Sequence, residues 1–274
     1  MKLSIVIPLM NQHDLATACL DATLSNLSHD IQVVVLDNGS DKPFEYSNSD
    51  VKVIRYDKSI GVYPTFWEGL KHTTGDVIAF FHSDFFVSEK DWDIKVLNAF
   101  RDMKIGLAGF IGSDEIDANG GRGYGTMSNF QGLALKYLDK EWKGSPATAH
   151  GKRITGVVNS AVIDGCSMIF RRSVLEQIKQ RENFPPHHFY DRLLCCETLE
   201  KGFKVVTIGV ACDHISGQTV SNEQKYTDMA NEWGLKHGVM LDDKNNWDSV
   251  IYLEAERQWL KEYRDEKHFI PIQV

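Results

Sequence analysis

Along the first hundred positions, short apolar runs alternate with stretches whose apolar residues recur at helical spacing. Residues 3–8 read as a strand, residues 14–27 as an amphipathic helix and residues 31–36 as a second strand, which together predict a β-α-β unit. The pattern continues with a strand over residues 51–56, a helix over 63–72, a strand buried on both faces over 77–81 and a helix over 92–103. Such alternation predicts a mainly parallel sheet covered by helices. Open sheets of this type bind ligands beyond the carboxyl ends of their strands, so chemistry is expected just after each apolar run. Those positions are unusually polar in this chain.

A strand around residues 105–111 ends the regular part. From residue 112 to 156 the chain carries many glycines, including Gly120, Gly121, Gly123 and Gly125, and few periodic apolar positions. This predicts a long loop, either a binding lid or an excursion with a short helix around residues 133–142. Its glycines do not form the dinucleotide fingerprint, because no strand leads into them and no clear helix leaves. Regular pattern returns as a strand over 160–170, a helix over 173–179, a break at Pro185-Pro186, a helix over 190–201 and a last strand over 203–208. Two amphipathic patterns, about 222–233 and 248–263, follow. Neither an internal repeat nor a Pro/Ser-rich linker divides the sequence.

Composition narrows the function classes. The 274 residues are 42% hydrophobic and 25% charged, which is ordinary for a globular protein and excludes a disordered or fibrous chain. The net charge of −8 offers no general field for a polyanion, so a nucleic-acid partner is not expected without a local basic patch; residues 136–152 hold the nearest candidate. With no apolar stretch of membrane-spanning length and too short an apolar run at the amino end for a signal peptide, a soluble, cytoplasmic protein is expected. Five cysteines, Cys19, Cys166, Cys195, Cys196 and Cys212, form no Cys-x-x-Cys pair and read as buried thiols. The sequons at Asn26 and Asn38 read as chance matches.

Three acids stand at the expected places: Asp37 after IQVVVL, Asp84 after VIAFFHS and Asp191 after PPHHFY. Any one of them fits a turn cap. If Asp37 and Asp84 lie side by side at the sheet's carboxyl edge, one suits a sugar or base hydroxyl and the other a divalent metal bridging phosphates.

These motifs resemble those of the inverting family 2 glycosyltransferases of the GT-A fold, from residue 3 to about residue 220. SIVIPLMNQ is similar to the family's first strand, and VVVLDNGSDK to the second, whose acid contacts the donor's uracil or ribose. SIGVYPTFWEGLKHTTGDVIAFFHSDFFV resembles the segment that runs from a Gly turn to the Asp-x-Asp metal motif. VIDGCSMIFRRSVLEQI and FYDRLLCCETLEKGFKVV resemble the acceptor-side strand and the helix headed by the general base. CDHISGQTV resembles the segment whose His completes the metal site.

The resemblance implies an α/β/α sandwich of GT-A type with a mainly parallel central sheet. Residues 1–220 would form the catalytic domain, with a donor half at 1–111, a flexible loop at 112–159 and an acceptor half at 160–220, followed by a helical extension at 221–274. It implies Asp191 as general base and Pro8, Asp37, Gly61, His82, Ser83 and Asp84 on the donor side. Asp84 and His214 would hold a divalent metal, Mn²⁺ or Mg²⁺, and Asp164, Gly165 and Tyr190 would face the acceptor. The partners implied are a nucleoside-diphosphate sugar, with uridine as the expected base, and a saccharide or other hydroxyl acceptor. Asp191 would take the acceptor's proton, giving one displacement with inversion.

The chain departs from the pattern in three places. His82 stands where the first acid of Asp-x-Asp is usual, Trp67 replaces an Asn and Ser59 replaces the Asn of an Asn-x-Gly turn. Among Tyr63, Phe66, Trp67, Phe85, Phe86, Phe189 and Tyr190, packing is the expected role for most, with Trp67 and Tyr190 as candidates to stack on a sugar or base. His187-His188 read as solvent-facing, with a place on the acceptor side as the alternative; Arg171-Arg172 read as a surface pair, with contact to donor phosphates as the alternative. Rival functions are a sugar nucleotidyltransferase, which the loop PLMNQHD does not suit, a nucleotide-sugar or glycan binding module, and transfer to hydroxylated DNA bases. Trp247, Tyr252, Trp259 and Tyr263 in the tail suit packing on the domain, with a peripheral membrane or homo-oligomer contact as the other reading.

Overall fold

The computed structural model describes residues 1–116, 125–131, 151–182, 184 and 187–215. Its first half follows the alternation of the sequence: β1 (Leu3–Leu9), α1 (His13–Leu24), β2 (Gln32–Asn38), β3 (Val51–Tyr56), α2 (Thr65–His72), β4 (Val77–Phe81), β5 (Phe85–Val87) and α3 (Trp92–Ala99). Then come β6 (Ile105–Gly109), β7 (Ile111–Ser113), β8 (Thr126–Ser128), β9 (Val157–Asn159), β10 (Val162–Ile163) and β11 (Ser167–Arg171). The described part closes with α4 (Arg172–Leu175), α5 (Tyr190–Glu200), β12 (Lys204–Ile208) and β13 (Cys212–His214).

Eight strands form the central sheet in the order β3-β2-β1-β4-β11-β6-β12-β9. It is mainly parallel, and β11 and β9 run against their neighbours. Side chains alternate between its faces as the two-residue period requires. Ile5, Ile7, Val33, Val35, Ala79 and Phe81 join one apolar layer, and Val6, Val34, Leu36, Ile78 and Phe80 join the other. Burial of each such side chain contributes about 1.5–3 kcal/mol, so the two layers hold the sheet rigid beneath its polar carboxyl edge. All five cysteines are buried free thiols, as expected.

Several predicted elements come out differently. The stretch expected as a loop at 112–156 holds β7 and β8, which join β10 in a separate three-stranded sheet. Residues 105–111 do not make one strand, because the chain passes at Phe110 from the central sheet to the smaller one. The strand expected over 160–170 is likewise two strands, β10 and β11, with a turn at Gly165-Cys166 between them. The helix expected over 173–179 is the single turn α4, and the one expected to reach residue 103 stops at Ala99.

Arg171 explains that last boundary and corrects the reading of Arg171-Arg172 as a surface pair. Its buried guanidinium donates to the carbonyls of Phe100, Asp102 and Ile105, satisfying groups that a helix end leaves open. Arg172 does the same for Gly75 and Leu70 and also donates to Thr73 Oγ1. Both are therefore brackets of the fold. The short helix expected at 133–142, the basic stretch at 136–152 apart from its last two residues, and both tail helices lie outside the described residues. Among the described residues, no helix is long and apolar enough to cross a membrane.

Candidate active site

The carboxyl ends of β1, β2 and β4 lie side by side, and β11 enters the same edge from the opposite direction. Ser167 pairs with Phe81, so the residues before β11 meet the residues after β4. This topology sets Asp164, Gly165 and Cys166 beside His82, whose backbone N–H donates to the Cys166 carbonyl at 3.1 Å. Beyond His82 the chain turns, with the Phe85 N–H donating to the His82 carbonyl, and continues into β5.

Strand β13 completes the cluster. Its antiparallel pairing with β5 sets His214 opposite Phe85, next to Asp84. His214 Nε2 then lies 3.3 Å from Asp84 Oδ1, and His82 Nδ1 lies 4.0 Å from the same oxygen. The rings of Phe81, Phe85, Trp92 and Phe110 pack beneath this turn, with neighbouring centroids 5.3–6.1 Å apart. Burial holds the His82 pKa down to about 4, although Asp84 pulls it upward. Burial would raise Asp84, but the adjacent His214 and then His82 hold it below its ordinary value. At neutral pH the cluster thus offers a neutral imidazole beside a carboxylate.

One ligand atom from each of His82, Asp84 and His214 lies within 4.8 Å of the others. That spread suits one divalent cation with bonds of roughly 2.0–2.6 Å after small side-chain adjustment. The donor set, two imidazoles and a carboxylate, also has the right chemistry. These residues therefore fit a divalent metal. Ser83 stands between His82 and Asp84, half-buried.

The residues expected on the donor side, Pro8, Asp37 and Gly61, lie at the same edge. Pro8 pairs with Leu36 near the end of β1. Asp37 and Asp84 are not adjacent: β1 separates β2 from β4, a spacing on the order of 10 Å. Asp37 is fully buried, and both its oxygens are used within the chain. Oδ1 accepts from the Ser40 N–H, while Oδ2 accepts from the Phe44 N–H and from Arg55 at 2.6 Å. Burial would raise its pKa, but these hydrogen bonds hold it below the ordinary carboxylate value.

The next residue, Asn38, read from the sequence only as part of a chance sequon, has a structural role. Its side chain donates to the Gly61 carbonyl and accepts from the Ile60 N–H, clamping the turn after β3. Gly39 fits the same clamp, with φ at 82° and an added Cβ only 2.4 Å from the Ser59 nitrogen.

Among the residues expected to face the acceptor, Asp164 accepts the Cys166 N–H at 3.0 Å and shapes the turn before β11. Gly165 leaves room for Tyr190, since a Cβ there would lie 2.3 Å from the phenol oxygen. Tyr190 is buried, its ring 5.7 Å from that of Phe66, and its hydroxyl reaches His82 Nε2 at 2.8 Å. Burial, and next the charge of Asp191, push its pKa well above the usual value. Asp191 occupies the first turn of α5, near enough for its charge to act on His82. Arg192, also missed from the sequence, sets Nη1 at 2.8 Å from both Asp191 oxygens and its guanidinium over the Phe189 ring.

Trp67 takes no part in this edge as a stacking platform. Its indole donates to the Ile178 carbonyl and meets Tyr63 edge-on, which corrects its reading as a candidate for sugar or base contact. The only signal that could have exposed Arg55 was its register. It stands directly across from Asp37 on β3, a placement legible only once the strands are aligned.

Residues 4–179 match the sequence profile described as Glycosyl transferase family 2. No curated protein sequence matches the chain. Among solved structures, the mannosyltransferase PcManGT of Pyrobaculum calidifontis, in complex with GDP-Man and Mn²⁺, is similar with a TM-score of 0.53 at 13% identity, over 96% of this chain and 70% of that one. S. aureus TarS in complex with UDP-GlcNAc gives 0.53 at 17% identity, over 97% and 74%. Glucosyl-3-phosphoglycerate synthase of Mycobacterium tuberculosis, with Mn²⁺, UDP and glucosyl-3-phosphoglycerate, gives 0.51 at 14%, over 88% and 81%. At such identities the likeness is one of fold, and it agrees with the mainly parallel sheet expected from the sequence.

Proposed function

The chain belongs to glycosyl transferase family 2, and from this premise we propose that it transfers a sugar, with inversion, from a uridine diphosphate sugar to the hydroxyl of a saccharide or other acceptor. The observation that carries the reading is the meeting of His82, Asp84 and His214 at the sheet's carboxyl edge, joined through Tyr190 to the helix whose first turn holds Asp191.

The acceptor hydroxyl attacks the anomeric carbon from the face opposite the diphosphate, and Asp191 takes its proton as the new C–O bond forms. The bond to the diphosphate oxygen breaks with its electron pair, so the anomeric configuration inverts. Arg192 balances the charge of Asp191 before the acceptor arrives. Asp84 and His214 would hold the divalent cation, Mn²⁺ or Mg²⁺, which when bound supplies charge compensation for the diphosphate.

Asp37 acts indirectly in this reading. With both oxygens engaged, it fixes the loop over residues 40–44 and shapes the wall that receives the base. Asn38 and Gly61 set the opposite wall. Asp164 and Gly165 border the acceptor.

The test is calorimetric titration of the purified protein with UDP, GDP and their sugar conjugates, with Mn²⁺, with Mg²⁺ and with chelator. Metal-enhanced binding of UDP and its sugars is expected. Preference for GDP would reassign the base, and absence of binding to every nucleotide would overturn the transferase mechanism in favour of a binding role.

A further inference from the structure

The two ring nitrogens of His82 have different neighbours. Nε2 is hydrogen-bonded to the Tyr190 hydroxyl at 2.8 Å, and Nδ1 faces Asp84 Oδ1 at 4.0 Å. We propose that His82 is itself a metal ligand, through Nδ1, and that Tyr190 fixes the tautomer that makes it one, giving a two-imidazole, one-carboxylate centre that favours Mn²⁺ over Mg²⁺. The inference rests on the metal-dependent transfer reading above and goes further, to the ligand set and its selectivity.

A neutral imidazole carries one proton and one available lone pair. If the Tyr190 hydroxyl donates to Nε2, the proton sits on Nδ1 and that nitrogen has nothing to give a cation. If Nε2–H donates to the phenol oxygen, the Nδ1 lone pair points free toward Asp84. Coordination requires the second arrangement, and a polar partner on the far nitrogen is the ordinary means of holding a ligating histidine in it. A carboxylate at position 82 would reverse this relation, since it can only accept from the phenol.

Both partners are fixed in place. The backbone of His82 is tied by its N–H to Cys166 and by its carbonyl to the Phe85 N–H. The Tyr190 ring lies in the apolar layer against Phe66, with its hydroxyl in the space that Gly165 leaves by lacking a Cβ. A phenol held this way cannot stack on a sugar, because its faces are buried and only its tip reaches the site. Tyr190 is therefore a positioning residue.

Selectivity follows from ligand chemistry. Mg²⁺ prefers oxygen donors and sheds water reluctantly, whereas imidazole suits transition metals, so two imidazoles shift the centre toward Mn²⁺.

The experiment uses the full chain, freed of metal by chelator and titrated with Mn²⁺ alone. Loss of the aqueous Mn²⁺ electron paramagnetic resonance signal gives affinity, and electron spin echo modulation counts the coordinated imidazole nitrogens. Two nitrogens are expected in the unaltered protein, one in His82→Ala, and displacement of Mn²⁺ by Mg²⁺ only at an excess of about tenfold or more. Tyr190→Phe should weaken Mn²⁺ binding by about 10–100-fold, and Gly165→Ala, which keeps the phenol but pushes it aside, should weaken it likewise.

A single nitrogen in the unaltered protein, no Mn²⁺ binding at all, or unchanged affinity in both Tyr190→Phe and Gly165→Ala would overturn the proposal. The nitrogen count is read without any variant and so does not depend on a variant's folding. One nitrogen with UDP-sugar turnover intact would leave the transferase reading standing and remove this inference. Two nitrogens without turnover would do the reverse.

Discussion

His214 Nε2 lies 3.3 Å from Asp84 Oδ1 because β13 pairs with β5 and sets His214 opposite Phe85, the neighbour of Asp84. A local two-stranded pairing thus brings together side chains from distant parts of the sequence.

Asp84→Ala and His214→Ala should each weaken Mn²⁺-dependent UDP binding by about tenfold or more, the usual scale for loss of a metal-site interaction. UDP affinity measured in chelator should stay at the level of the unaltered protein. Calorimetry with and without metal makes the comparison. Equal losses under both conditions would mean that the residues support the pocket and not the cation.

Asp191→Asn should leave UDP binding unchanged and lower turnover by about 10²–10⁴-fold, the range for removal of a general base. Single-turnover rates with saturating donor isolate the effect. Unaltered turnover would remove Asp191 from the role of base.

Asp37 gives the fold a predictable acid limb. Its folded pKa lies below the ordinary 3.8, so between those two values the unfolded chain binds a proton that the native state does not. Stability from this group is fully present above pH 3.8 and is lost as pH falls through the lower, folded value. Asp37→Asn should cost about 1–3 kcal/mol at pH 7 through the lost charged hydrogen bonds and flatten the acid limb. Urea unfolding at a series of pH values tests both effects, and an unchanged acid limb in the variant would refute the assignment.

Gly39 and Gly156 form a controlled pair. Both have left-handed φ, 82° and 77°, but a Cβ at Gly39 meets the Ser59 backbone whereas one at Gly156 meets nothing within 4 Å. Gly156→Ala should cost about 1 kcal/mol from backbone strain alone. Gly39→Ala should cost distinctly more, about 2–3 kcal/mol, and weaken UDP binding as the clamp at residues 59–61 opens. Equal costs in denaturant unfolding would show that the turn yields freely.

Two strands were legible to the residue, the β-rich Val51–Tyr56 and the wholly apolar Val77–Phe81, both observed as expected. Boundaries set by tertiary partners were not. The end of α3 depends on Arg171, far along the chain, and the break between β10 and β11 depends on their pairing into different sheets. The site shows the same division. Asp84 and His214 could be named from their motifs, but the engagement of Asp37 by Arg55 depends on strand register, and the bond between His82 and Tyr190 spans 108 residues. Periodicity carries neither kind of information, because both arise from how elements pack.

The entry to α5 carries a different consequence. His188 and Phe189 both have left-handed φ, 62° and 53°, immediately before Tyr190 and Asp191. Neither residue has the freedom of glycine there, and each such conformation costs on the order of 1 kcal/mol or more. A selection for heat resistance alone would readily accept glycine at residue 188, where the bend would become cheaper. It would also loosen the backbone that places the following two side chains, so heat resistance and the placement of Tyr190 and Asp191 are set against each other at this one bend.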